Sequence, residues 1–121
     1  MSHDTAATAA NAAAGASAPV DARGIRSFAE FYPFYLGEHA NRTCRRLHFA
    51  GSTLALLFVA AAVATASWGW LVAALVCGYG FAWIGHFVFE KNKPASFKRP
   101  LYSFLGDWTL YKDIWIGKIP L

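Results

Sequence analysis

Two apolar runs, Leu47 to Ala66 and Trp70 to Phe89, are separated only by Ser67, Trp68 and Gly69. Each run has roughly twenty residues, enough to cross a hydrocarbon core of ~30 Å at ~1.5 Å per residue. So short a link forces the two helices to be antiparallel neighbours. Arg42, Arg45 and Arg46 precede the first run, and Lys91, Lys93, Lys98 and Arg99 follow the second, while the link carries no charge. The bias of basic residues puts both basic ends, and with them both termini, on the cytoplasmic side. Trp68 and Trp70 fall where an aromatic belt lies at the opposite face. The expectation is an all-α membrane protein: a two-helix transmembrane hairpin (47–66 and 70–89) with flanking interfacial helices on the cytoplasmic side. Its setting would be a bacterial inner membrane, or the endoplasmic reticulum in a eukaryote.

Composition agrees. Hydrophobic residues make up 56% of the chain and charged ones 15%, which is low for a soluble domain. A net charge of +4 does not imply nucleic acid here, because the basic residues flank apolar runs instead of covering a polar surface. Residues 1–24 are rich in Ala, Ser and Thr and offer no apolar face, so a disordered tail is expected, and His3 is set aside with it. Residues 25–121 form one membrane domain. Ser27 and Glu30 make a capping-box pattern opening a helix over 27–37. Its Phe28, Phe31, Tyr32 and Tyr35 form an aromatic stripe that suits a membrane interface, with Pro33 positioned to bend or shorten it. A second interfacial helix is expected over about 99–116, with Leu101, Phe104, Leu105, Trp108 and Trp115 on one side and Ser103, Asp107 and Lys112 available for the polar side. Cys44 and Cys77 lack paired metal-ligand spacing and read as free thiols.

The residues that carry chemistry are His39, His48 and His86. Counted from the link at ~1.5 Å per residue, His48 and His86 lie at heights that differ by only ~5 Å, on the same side of the bilayer. His39 precedes His48 by nine residues, which on one continuous helix would set them on opposite faces. Asn41 offers a helix start between them, so the chain can turn there and bring His39 back toward His48. Small residues on the facing sides, Gly51, Ser52 and Ala55 against Gly78, Ala82 and Gly85, permit close approach. Three neutral imidazoles suit a divalent transition metal with open positions. Glu38, Glu90 or Asp107 could add a carboxylate or orient a ring.

Three stretches carry a resemblance: Phe-Tyr-Pro-Phe-Tyr-Leu-Gly-Glu-His ending at His39, Asn-Arg-Thr-Cys-Arg-Arg-Leu-His-Phe-Ala-Gly from Asn41, and Gly-His-Phe-Val-Phe-Glu-Lys-Asn-Lys-Pro-Ala from Gly85 to Ala95. Together they resemble a family of small membrane proteins whose fungal members are iron(II)-dependent 2-hydroxy fatty acid dioxygenases. The likeness runs from about Phe28 to Gly117, although the fungal members are longer and have more membrane segments; this chain resembles a short, bacterial branch. It implies oxidative removal of one carbon from a long-chain 2-hydroxy fatty acid, with His39, His48 and His86 holding Fe(2+) and Glu90 and Asn92 in support. The partners implied are a membrane lipid or fatty acid and dioxygen, with no nucleic acid. On that reading the substrate carboxylate would meet Arg42, Arg45, Arg46, Lys91 or Lys93, with the acyl chain along the hairpin. Two other readings stay open: a haem-binding electron-transfer protein with His48 and His86 as axial ligands, and a non-enzymatic hairpin that forms a homo-oligomer.

Overall fold

The computed structural model describes residues 24–121, so the Ala-rich tail and His3 lie outside the described residues. Every regular element among the described residues is helical. Helix α1 is Phe28–Gly37, α2 is Arg42–Thr65, and α3 is Trp70–Ile84, which continues as a π-helical segment, Gly85–Glu90. A short 3-10 turn, Ala95–Phe97, leads into α4, Pro100–Trp115.

Local signals account for the helix ends. Ser27 is extended, and its Oγ accepts from the Glu30 amide at 3.2 Å. Glu30 reaches back to the Arg26 amide, one residue before the position a capping box uses. Pro33 neither stops α1 nor shortens it; the helix continues to Gly37. Asn41 caps α2, its Oδ1 accepting from the amides of Thr43 and Cys44. The helix therefore begins at Arg42, five residues ahead of the apolar run. It ends at Ala66 in the left-handed conformation, which reverses the chain into the short turn.

Helices α2 and α3 pack side by side, and glycine sets how closely. A Cβ on Gly51 would lie 2.9 Å from the Phe81 Cβ and 3.0 Å from the Cys77 carbonyl oxygen. A Cβ on Gly85 would lie 2.9 Å from the Cys44 Sγ and 3.2 Å from its Cα. The two helices, 24 and 21 residues long, have mean hydropathies of 1.9 and 1.8 and are long and apolar enough to cross a membrane. Only 17% and 22% of their most apolar windows are buried, so most of their apolar side chains face outward. A core helix of a soluble domain would show the reverse.

At the other end α1 and α4 form a cap. The aromatic stripe of α1 is spent on this contact: Phe31 and Tyr35 are fully buried, in one cluster with Leu110, Ile114 and Ile119. Tyr35 lies flat over Gly106, where a Cβ would come within 2.9 Å of the ring. Helix α4 turns its polar side toward α1. Ser103 and Asp113 are buried, and Tyr32 and Tyr35 donate to Asp113 and Asp107 at 2.7 and 2.5 Å. Two tyrosines three residues apart on α1 present hydroxyls that need acceptors, and the aspartates of α4 supply them. Of the residues expected on the polar side, only Lys112 stays at the surface. Leu101, Phe104, Leu105 and Trp115 are instead exposed, at 70%, 49%, 44% and 67%.

Gly51→Ala places a methyl against a backbone carbonyl and a Cβ, neither of which can swing aside. It should destabilise the hairpin by about 1–3 kcal/mol, measured by thermal unfolding in detergent. Gly80→Ala, where a Cβ meets nothing within 4 Å, should leave the midpoint unchanged.

Candidate metal centre

Three elements deliver one imidazole each: His39 from the loop after α1, His48 from the second turn of α2, and His86 from the π-helical segment. All three are buried, at 1%, 6% and 2% exposure. The His39 Nε2 lies 3.0 Å from the Nε2 of His48 and 3.0 Å from that of His86. The rings stand edge to face, His39 against each of the others at 82–83°.

Each Nδ1 faces an oxygen. His39 Nδ1 is 2.7 Å from the Tyr35 carbonyl oxygen, and His48 Nδ1 is 2.9 Å from that of Cys44. His86 Nδ1 is 2.7 Å from the Asn92 Oδ1. Asn92 is oriented by its own Nδ2, which donates to the carbonyl and carboxylate of Glu38 at 3.2 and 2.6 Å. A neutral imidazole has one proton, and in each ring Nδ1 uses it. The Nε2 lone pairs are left pointing at one another with no proton between them. Burial first, and then the two neighbouring histidines, hold the His39 pKa well below its ordinary value, so this ring is neutral. A cation among the three nitrogens resolves the repulsion. Nitrogens 3.0 Å apart can share one ion at the usual ~2.1 Å bond length, in adjacent coordination positions. The donor set therefore fits a divalent transition metal, with each ring's second nitrogen fixed as metal-bound histidines require.

The loop carrying His39 is clamped from both sides. Arg45, fully buried on α2, donates from Nη1 to the carbonyls of Ala40 and His39 at 2.7 and 3.3 Å, and from Nε to that of Pro120. Glu90 accepts from the Asn41 amide, which fastens the end of the π-helical segment to the start of α2. The left-handed Lys91 and the Asn92 amide both close onto the His86 carbonyl, turning the Asn92 side chain back to the ring.

The other expected site residues take several places around this cluster. Glu38, Asn41, Glu90 and Asn92 hold the histidine loop and the His86 ring. Asp107 bonds Tyr35, whose ring stacks on His39 with centroids 3.9 Å apart. Arg42 donates to the Leu121 carbonyl, and Arg46, Lys91 and Lys93 are exposed. Cys44 and Tyr35 are contributions that sequence reasoning missed. Each lies four residues before a site histidine and gives it a carbonyl, a spacing visible in the sequence. The Cys44 Sγ lies 3.7 Å from the His48 Nδ1 and belongs to the same buried group: His39, Cys44, His48 and His86 each bring a possible ligand atom, all within 4.8 Å of one another. His48 and His86 have ring centroids 5.0 Å apart, with His39 packed 4.4 Å from each, which leaves no slot for a haem plane between them.

Comparison with known proteins gives one match. A family model described as 2-hydroxy-palmitic acid dioxygenase Mpo1-like covers residues 25–119. No curated protein and no solved structure matches.

Purified protein should hold about one transition-metal ion per chain by elemental analysis, and His39→Ala, His48→Ala or His86→Ala should each abolish it. Asn92→Ala, which frees the His86 ring, should weaken metal affinity by about 10–100-fold. The Asp107 carboxyl is raised by burial to about 7, against the opposing pull of the Tyr35 hydroxyl. The folded metal-free protein thus keeps a proton on Asp107 that the unfolded chain releases near pH ~3.9, so this carboxyl's own contribution to stability falls as pH rises between about 4 and 7. That of the neutral His39 is opposite in sign. The stability difference between Asp107→Asn and the parent should therefore shift in favour of the variant as pH rises through that window, in thermal unfolding measured across pH.

Proposed function

Because the chain belongs to the 2-hydroxy-palmitic acid dioxygenase Mpo1-like family, we propose that it is an iron(II)-dependent membrane dioxygenase that shortens long-chain 2-hydroxy fatty acids by one carbon. The observation that carries this reading is the convergence of three buried imidazoles, with the His39 Nε2 within 3.0 Å of the Nε2 of both His48 and His86. His39, His48 and His86 would hold iron(II) through three neutral nitrogens that leave it its charge, and the ion would supply dioxygen activation for an anionic 2-hydroxy acid.

The overall reaction balances as one 2-hydroxy acid plus one dioxygen giving the acid one carbon shorter, carbon dioxide and water. The chain's own residues position and exclude. Tyr35, Cys44 and Asn92 hold the three rings through their Nδ1 protons. The cap of α1 and α4 covers the cluster and limits water. Arg45 and Glu90 keep the His39 loop closed over it.

Helices α2 and α3 are the proposed spans. Their basic ends would lie at the cytoplasmic face and the uncharged turn, with Trp68 and Trp70, at the other. This places the histidines at the cytoplasmic boundary, in a bacterial inner membrane or the endoplasmic reticulum. The outward apolar side of α4 supports an interfacial position, since Leu101, Leu105 and Trp115 would otherwise face water.

The test supplies iron(II)-loaded protein in detergent with 2-hydroxypalmitic acid and oxygen. Pentadecanoic acid should accumulate, with one dioxygen consumed per acid. His86→Ala, which should hold no metal, should form no more shortened acid than the metal-free parent. If metal-loaded protein forms no shortened acid, the proposed activity is wrong.

A further inference from the structure

A cavity of about 370 Å³ lies beside His48. On α2 it is lined by His48, Ser52, Ala55 and Val59, four residues that recur on one helix face. On α3 the matching row is Ala82, Gly78, Ala74 and Leu71. The ends of each row are eleven residues apart, so the cavity extends ~16 Å from His48 toward the turn. His48, Ser52 and Asp107 of α4 bring polar groups to its upper part, and Tyr79, Phe104 and Trp108 add aromatic wall. Toward the turn the walls are apolar, from Ala55, Val59, Leu71, Ala74 and Leu75. The small Ala55 and Gly78 face each other midway; a Cβ on Gly78 would lie 3.8 Å from that of Ala55. Past Val59 and Leu71 the hairpin closes, with Ala62 fully buried and Phe58 stacked on Trp70 at 5.6 Å.

A groove with polar groups beside His48, an apolar wall over most of its length and an end where the hairpin helices meet fits a single unbranched acyl chain with its head group near His48. We propose that this groove holds the substrate's acyl chain and that Val59 and Leu71 form its floor, setting the longest chain accepted. An extended hydrocarbon of ~1.52 Å bonds advances about 1.25 Å per carbon, so ~16 Å takes about thirteen carbons beyond the head group. The inference rests on the proposed activity for the identity of the head group, but the groove and its floor are tested without turnover.

The probe is 2-hydroxypalmitic acid carrying a diazirine at its terminal carbon, photolysed with metal-loaded protein in detergent and mapped by peptide mass spectrometry. Adducts should concentrate on Val59 and Leu71 and their immediate neighbours, and moving the diazirine to mid-chain should shift them to Ala55 and Gly78. Leu71→Trp and Val59→Trp fill the floor with side chains that touch no histidine. Their metal content should match the parent's, the terminal-probe adducts should fall, and turnover of 2-hydroxypalmitic acid should drop about tenfold or more relative to a twelve-carbon analogue. Adducts scattered over the outward faces at Leu57, Val63 and Val76 would overturn the proposal. So would adducts from the terminal probe that are undiminished in both tryptophan variants. Floor adducts in a protein that shortens no acid would uphold the groove and reject the activity.

Discussion

The His39 Nε2 faces the Nε2 lone pairs of His48 and His86 at 3.0 Å because every ring proton has been committed elsewhere. That arrangement is unfavourable unless a cation occupies it, since each buried acceptor left unsatisfied costs about 1–3 kcal/mol. The rest of the cap exists around this conflict. The carbonyls of Tyr35 and Cys44 and the side-chain amide of Asn92 hold the rings in place. Arg45, Glu90 and Asn92 hold the backbone that carries them. Loading the site should therefore raise the stability of the whole cap, because metal binding and folding draw on the same free energy.

The two halves of the molecule are held together by different forces. The cap has a conventional core, with Phe31, Tyr35, Leu110 and Ile114 buried. The hairpin has almost none, and in the proposed lipid setting burial of apolar surface would not drive its helices together. Close backbone approach at Gly51 and Gly85 takes over that role, through packing alone. Helix α4 joins both regimes by facing its aspartates inward to the tyrosines of α1 and its leucines outward.

Much of this was legible in the sequence, and the misses have physical causes. The helical pair and its short turn come from apolar length alone. The matched heights of His48 and His86 come from residue counting, and the return of His39 from Asn41 acting as a cap. Counting could not show that His39 sits within reach of both other rings, because that depends on Arg45 and Glu90, which grip the loop from other elements. The inward turn of Asp107 and Asp113 was hidden for a similar reason. Helical periodicity separates polar from apolar sides, but their partners, Tyr32 and Tyr35, lie more than seventy residues earlier. The widened winding after Ile84 leaves no mark in hydropathy.

That widened winding is itself part of the site. In the π-helical segment each turn takes up more residues than an α-helix would. Its six residues turn through about the angle that five would in an α-helix, so the same residues in ordinary winding would rotate those beyond them by ~100°. Asn92 would then face away from His86, and Glu90 away from the start of α2. Phe87, Val88 and Phe89 point outward and could be exchanged for others of similar character. The winding could not, so across divergent sequences this segment should tolerate replacements that keep the wide turn.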